Sequence, residues 1–89
     1  MKILLPTARY KRDLKRIQKR NWSLQKLVTL LRLFEKEEQL LENARPHKLS
    51  GEYVGLWECH IESDWLLIYD ITDEEVLLVR TGTHADLFE

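Results

Sequence analysis

Four side chains in this 89-residue sequence combine reactivity with positions that allow them to meet: His47, His60, Asp64 and His84. Imidazole titrates near neutrality and serves as acid or base, and a neighbouring carboxylate accepts a proton or fixes the imidazole tautomer. Each residue alone has an ordinary structural reading, a surface histidine or an aspartate in a hairpin turn. Their coincidence is what points to chemistry, since the chain's three histidines fall in a loop, at a strand end and in the C-terminal segment, places that one sheet edge can gather. Histidine and carboxylate are also zinc or manganese ligands. Against a metal, there is no C-x-x-C or H-E-x-x-H spacing, and Cys59 and His60, adjacent on a strand, point to opposite faces. The expectation is a site with neither metal nor cofactor. Cys59 falls on an apolar face, where cysteines are usually inert.

The elements that position these residues follow from periodicity. "KILL" reads as a first strand closed by Pro6, which cannot donate to a ladder, and Thr7 is placed to cap a helix. From Ala8 to Arg20, Tyr10, Leu14 and Ile17 recur at helical spacing among Arg9, Arg12, Lys15, Arg16, Lys19 and Arg20, giving an amphipathic helix with a dense basic face. Ser23 is placed to cap a second helix, whose stripe of Leu24, Leu27, Val28, Leu31 and Phe34 runs on toward Leu40 and Leu41. The short connection makes the two an antiparallel hairpin. "HKLSGEYVG" reads as a connecting loop. Three strands follow, Tyr53 to Ile61, Trp65 to Ile71 and Val76 to Thr81, joined by "ESD" and "TDEE" into an antiparallel meander. Alternation puts Trp57, Cys59 and Ile61 on the core face and Glu58 and His60 on the other. The fold class is α+β: an N-terminal strand and a two-helix hairpin packed on one face of a small twisted antiparallel sheet.

Bulk properties bound the rest. At 89 residues the chain is expected to form one domain over residues 1–89. No apolar run approaches the roughly 20 residues of a membrane span, and the stretch before Pro6 is too short for a signal peptide, so a cytoplasmic location is the default, with which the single cysteine agrees. Residues 1–48 hold 13 Lys and Arg against 5 Asp and Glu, whereas residues 49–89 hold 1 against 10. That asymmetry suits either a solvated helix face or a basic surface for phosphate backbones or an acidic partner. Trp57, Trp65, Tyr69 and Trp22 read as packing, while Phe88 either plugs the core or lies against a ligand.

"PHKLSGEYVGLWECHIESDWLLIYDI" followed by "LLVRTGTHADLF" resembles the YafQ-type toxins of the RelE/ParE superfamily, small bacterial toxins of toxin-antitoxin pairs. The match covers residues 47 to 88 through three ordered motifs, H-x-L-x-G-x-x-x-G, H-[IV]-x-x-D-W-x-L-I-Y and R-T-G-[ST]-H-x-x-L-F; residues 1 to 46 match in layout only. The resemblance implies a RelE-like fold and a ribosome-dependent endoribonuclease that cuts mRNA at codons in the decoding site. It implies catalytic roles for His47, His60, Asp64 and His84, and substrate or phosphate contact or support from Trp65, Arg80 and Phe88. The chemistry it implies is metal-free cleavage through the neighbouring 2′-OH, with His84 and Asp64 as the acid-base centre and His47 and His60 positioning the phosphate and sharing in proton transfer. Implied partners are a cognate antitoxin of the DinJ/RelB kind, the 70S ribosome, its rRNA, and mRNA, with no membrane. Two departures stand out: Trp57 occupies a position often basic in relatives, and Leu66 one where some RelE-type toxins have arginine. With a pI near 6.3, rRNA binding should then rest on Arg12, Lys15, Arg16, Lys19 and Arg20 and weaken with salt. The alternative is a non-catalytic ParE-like inhibitor of DNA gyrase, against which the histidine and aspartate constellation argues.

Overall fold

A computed structural model describes residues 1–40 and 42–88. Its elements in chain order are β1 (Ile3–Pro6), α1 (Ala8–Lys19), α2 (Leu24–Glu35), β2 (His47–Lys48), β3 (Trp57–Glu62), β4 (Trp65–Ile71), β5 (Glu75–Gly82) and α3 (His84–Phe88), with single 3₁₀ turns at Glu42–Ala44 and Gly51–Tyr53. The strands form one sheet in the order β1-β5-β4-β3-β2.

Thr7 caps α1 as its sequence position predicts. Its hydroxyl accepts from the Tyr10 amide at 3.2 Å and donates to the Val79 carbonyl at 3.0 Å, tying the helix start to β5. Tyr10 and Ile17 are buried along the apolar stripe, and so is Asp13, a charge the stripe did not foretell. In α2, Leu27, Leu30 and Phe34 turn inward. Ser23 occupies the N-cap position without a side-chain capping bond. The helix stops at Glu35, short of the expected run, because "EKEE" offers no apolar residue to hold against the sheet and Glu37 adopts a left-handed backbone, φ 59°. Leu40 still packs on the core; Leu41 lies outside the described residues.

The sheet is mixed rather than wholly antiparallel. The meander β2 to β5 is antiparallel throughout, but β1 pairs parallel with β5, Leu4 opposite Val76 and Pro6 opposite Leu78. The helices carry the chain to the far edge, so the returning meander brings β5 alongside β1 in the same direction. Pro6 is tolerated inside β1 because this is an edge strand. The expected loop at residues 47–55 contains β2, which pairs His47 with Glu58. Tyr53, expected to open a strand, sits instead in a 3₁₀ turn. The β3–β4 connection is two residues, Ser63 and Asp64, since Glu62 still pairs with Trp65 after a bulge following His60.

Both sheet faces are covered at the centre, not one. Toward the helices, Cys59, Leu67, Tyr69, Val76 and Leu78 pack with Tyr10, Leu30 and Phe34. On the opposite face Leu66 and Ile68 pack with Tyr53 and Leu87, brought by the second 3₁₀ turn and α3. This explains why Trp65 to Tyr69 are all buried: a strand covered on both faces has no polar side. No helix among the described residues is long and apolar enough to cross a membrane.

Candidate active site

The β3–β4 turn and the start of α3 lie side by side, and this brings two of the predicted residues into direct contact. Asp64 Oδ1 accepts from the His84 backbone amide at 2.9 Å and lies 2.7 Å from His84 Nδ1. A carboxylate accepts only, so the ring donates through Nδ1–H, and Nε2 is the nitrogen left to exchange a proton. The two bonds from His84 hold the Asp64 carboxyl below its ordinary 3.8, keeping it an anion at neutral pH. Both side chains are open to solvent, 55% and 63% exposed, and so accessible to a large ligand.

Two further rings flank the pair. His60, projecting from the bulged end of β3, stands 6.2 Å from the His84 ring between centroids, and Phe88, one turn along α3, stands 6.2 Å away. Phe88 is 44% exposed and packs edge-on against Tyr53 at 5.6 Å, so the choice between core plug and ligand-facing ring falls between the two: one side anchored, the other free. His47 does not touch the pair. Its Nε2 faces Glu58 Oε1 at 3.3 Å and its Nδ1 faces the Arg45 carbonyl at 3.1 Å. Because Glu58 and His60 alternate onto one face of β3, His47 borders the same surface two residues further along. Open clefts adjoin the group: one is lined by Arg45, His60, Glu62 and Ser63 among others, the next by Trp22, Asp64, Trp65 and Thr83 among others.

Trp65 packs in the interior as its strand spacing predicts, and Arg80 also lies inside, so both are placed for support of the site rather than open to solvent. Trp65 is 1% exposed, its indole N–H donating to Thr81 Oγ1 at 2.9 Å and its ring packed with Ile17, Leu27 and Trp22. A residue so enclosed holds its neighbour Asp64 in place instead of meeting a ligand. Arg80 is 8% exposed and committed to Asp13, donating from Nε at 2.9 Å and Nη2 at 2.8 Å. Its Nη1 donates to Tyr53 OH at 3.3 Å, and that hydroxyl donates to the Leu87 carbonyl at 3.0 Å. The Asp13 hydrogen bonds raise the guanidinium further above its ordinary value, so it stays charged as an internal strut under α3 rather than as a free phosphate fork.

The predicted basic face also divides. Arg12, Lys15 and Lys19 are exposed and enter no ion pair among the described residues. Arg20 instead grips Asp86 with two bonds, 2.7 and 3.0 Å, and Arg16 lies 3.7 Å from the same carboxylate and 3.6 Å from Asp13. Cys59 is fully buried and burial pushes its thiol up to about 12, which leaves it unreactive. Among the described residues, no three His, Cys, Asp or Glu side chains group as metal ligands.

Asp13, Tyr53, Glu58 and Asp86 support the site without having been singled out from the sequence. For Asp86 a signal existed: T-H-A-D at residues 83–86 has capping-box spacing, and the structure makes both bonds, Asp86 N–H to Thr83 Oγ1 and Thr83 N–H to Asp86 Oδ2, each at 3.0 Å. For Asp13 and Glu58 none existed, since an isolated acid on a helix or strand looks like surface until its partner is known.

Comparison with known proteins is consistent across the whole chain. The family model of the bacterial toxin of type II toxin-antitoxin systems, YafQ, matches residues 2–89. The mRNA interferase toxin YafQ of Escherichia coli strain K12 is 38% identical over 89 residues, 92% of this chain and 90% of that protein. A crystal structure of YafQ from E. coli strain BL21(DE3) superposes with a TM-score of 0.92 at 32% identity, each chain covered in full. YafQ in the crystal structure of the E. coli DinJ-YafQ toxin-antitoxin complex gives 0.88 at 36% identity, covering 99% of this chain and 98% of that one.

Proposed function

This chain belongs to the YafQ family of type II toxin-antitoxin toxins, and from that premise we propose that it is an mRNA interferase, an endoribonuclease that cuts mRNA on the ribosome and halts translation. The observation that carries the catalytic reading is the Asp64–His84 contact at 2.7 Å, with the His60 and Phe88 rings each 6.2 Å from the His84 ring. Cleavage through the 2′-OH needs a base to take its proton as the oxygen attacks phosphorus, and an acid to protonate the departing 5′-oxygen. His84, its Nδ1 held by Asp64, offers Nε2 for one transfer, and His60 and His47 share in the other and flank the phosphate. Positioned proton transfer of this kind contributes about 10²- to 10⁴-fold per group. The free face of Phe88 is a surface against which a nucleobase can stack.

The exposed cations Arg12, Lys15 and Lys19 supply the electrostatic attachment to rRNA. A ribosomal target places the protein in the cytoplasm. The cognate partner is an antitoxin of the DinJ kind, supported by the likeness to the toxin of the DinJ-YafQ complex.

The test is induction without antitoxin followed by sequencing of mRNA 5′ ends, and purified toxin on programmed 70S ribosomes. Cleavage only with ribosomes present, lost in His84→Ala and Asp64→Ala while the fold is kept, is the expected result. Full activity of those variants would remove the assigned site, and intact mRNA with poisoned gyrase would overturn the activity.

A further inference from the structure

Arg16 in α1 and Arg20 at its C-cap belong to the run of basic residues that sequence alone assigns to a nucleic-acid-facing surface, yet both reach the Asp86 carboxylate of α3 across the protein surface. Arg20 binds Asp86 through two parallel hydrogen bonds, 2.7 Å from Nη1 to Oδ2 and 3.0 Å from Nη2 to Oδ1. Bidentate geometry of this kind fixes orientation as well as distance. The same carboxylate closes the reciprocal capping box with Thr83, the residue immediately before His84. Gly82 completes the fit, because a Cβ there would stand 2.9 Å from both Cβ and Oδ2 of Asp86. α3 has five residues, too few to hold itself helical in isolation, so its first turn keeps its place through these contacts and through the Tyr53 bond to Leu87. His84 opens that turn, and its backbone amide and ring both reach Asp64.

We propose that Arg20 and Asp86 are positioning residues for the proposed reaction: their ion pair sets the angle of α3 and thereby aims the His84 imidazole at Asp64. This rests on the reading of Asp64 and His84 as the acid-base pair. Arg20, at the C-cap, is thereby separated in role from Lys15 and Lys19 of α1, which attach the protein to RNA.

The experiment compares the full chain with Asp86→Asn, Arg20→Gln, the double variant and Lys19→Gln. Ribosome titration under single-turnover conditions gives the maximal cleavage rate and the half-saturating ribosome concentration. Nitrogen-detected NMR of the imidazoles, without ribosomes, reports whether His84 Nδ1–H remains hydrogen-bonded. Asp86→Asn and Arg20→Gln should each lower the maximal rate by roughly 10- to 100-fold, in the range a misaimed catalytic group costs. Half-saturation should stay within about threefold, the double variant should be no slower than the worse single, and the His84 ring signals should shift in both. Lys19→Gln should do the opposite, weakening half-saturation and sparing rate and ring signals. The proposal is overturned if Arg20→Gln behaves like Lys19→Gln, or if the His84 signals of Asp86→Asn match those of the unsubstituted chain. Absence of any ribosome-dependent cleavage by the unsubstituted chain would refute the functional reading instead, and the His84 signals would still decide the positioning role.

Discussion

Asp64 is the residue on which the site turns, because one of its oxygens takes both the ring and the backbone hydrogen bond of His84. Replacing it with asparagine keeps the shape and removes the charge, so the ring loses its anionic partner. Asp64→Asn should cut the maximal cleavage rate by about 10² or more with little change in ribosome half-saturation. Cys59 gives the opposite expectation. Fully buried, with a thiol pushed up to about 12, it should resist alkylation in the native protein, and its labelling should follow global unfolding in urea. The four residues proposed for the centre drew notice in the sequence because their side-chain types are few and reactive, and the structure joins Asp64 to His84 with His60 nearby while His47 stands apart against Glu58. Trp65 was legible as interior from its strand spacing, and Arg80 was not, since whether an arginine meets a phosphate or an aspartate depends on where α1 puts Asp13. That pair also has a stability consequence. Asp13 and Arg80 are 2% and 8% exposed, so Arg80→Met, which strands a buried carboxylate, should destabilise by about 3–5 kcal/mol in chemical denaturation.

At the scale of elements, helices and long strands were readable and short pieces were not. α1 and α2 each repeat an apolar period several times, enough to outvote local exceptions, and β4 begins with an unbroken apolar run, Trp65 to Tyr69. β2 is two residues and the 3₁₀ turns three, so none contains a period at all; β2 exists because His47 and Lys48 find partners in Glu58 and Trp57. The parallel pairing of β1 with β5 was hidden for a related reason, being set by the path of everything between them. The junction of β5 and α3 carries its own prediction. Gly82→Ala forces a Cβ to within 2.9 Å of Asp86, and Thr83→Ala removes half of the capping box. The alanine at residue 83 should cost about 1 kcal/mol of stability. The alanine at residue 82 should cost cleavage rate as well, because Asp86 must move to make room.

For the molecule as a whole, charge decides how conditions act. Asp64 and Asp86 are both held below the ordinary carboxylate value of 3.8, by His84 and Arg20 respectively. Groups depressed on folding contribute fully above that value and lose the contribution as pH falls through their lowered values. Urea midpoints should therefore be flat from pH 7 to about pH 5 and fall below about pH 4, and the gap between the native chain and Asp86→Asn should narrow in the same window. Salt acts on the other surface: Lys15→Gln should weaken ribosome binding and reduce its salt slope by about 1. The sheet order adds something about timing. β1 precedes β5 in the chain, yet among the described residues its only strand neighbour is β5, and His84 follows β5. During synthesis, then, the first strand lacks its partner until β5 has been made, and the acid-base pair has one member until residue 84 has been added. A protein whose proposed target is the translating ribosome thus cannot assemble its site before the His84 codon of its own message has been decoded, and a chain halted before residue 84 has Asp64 without His84.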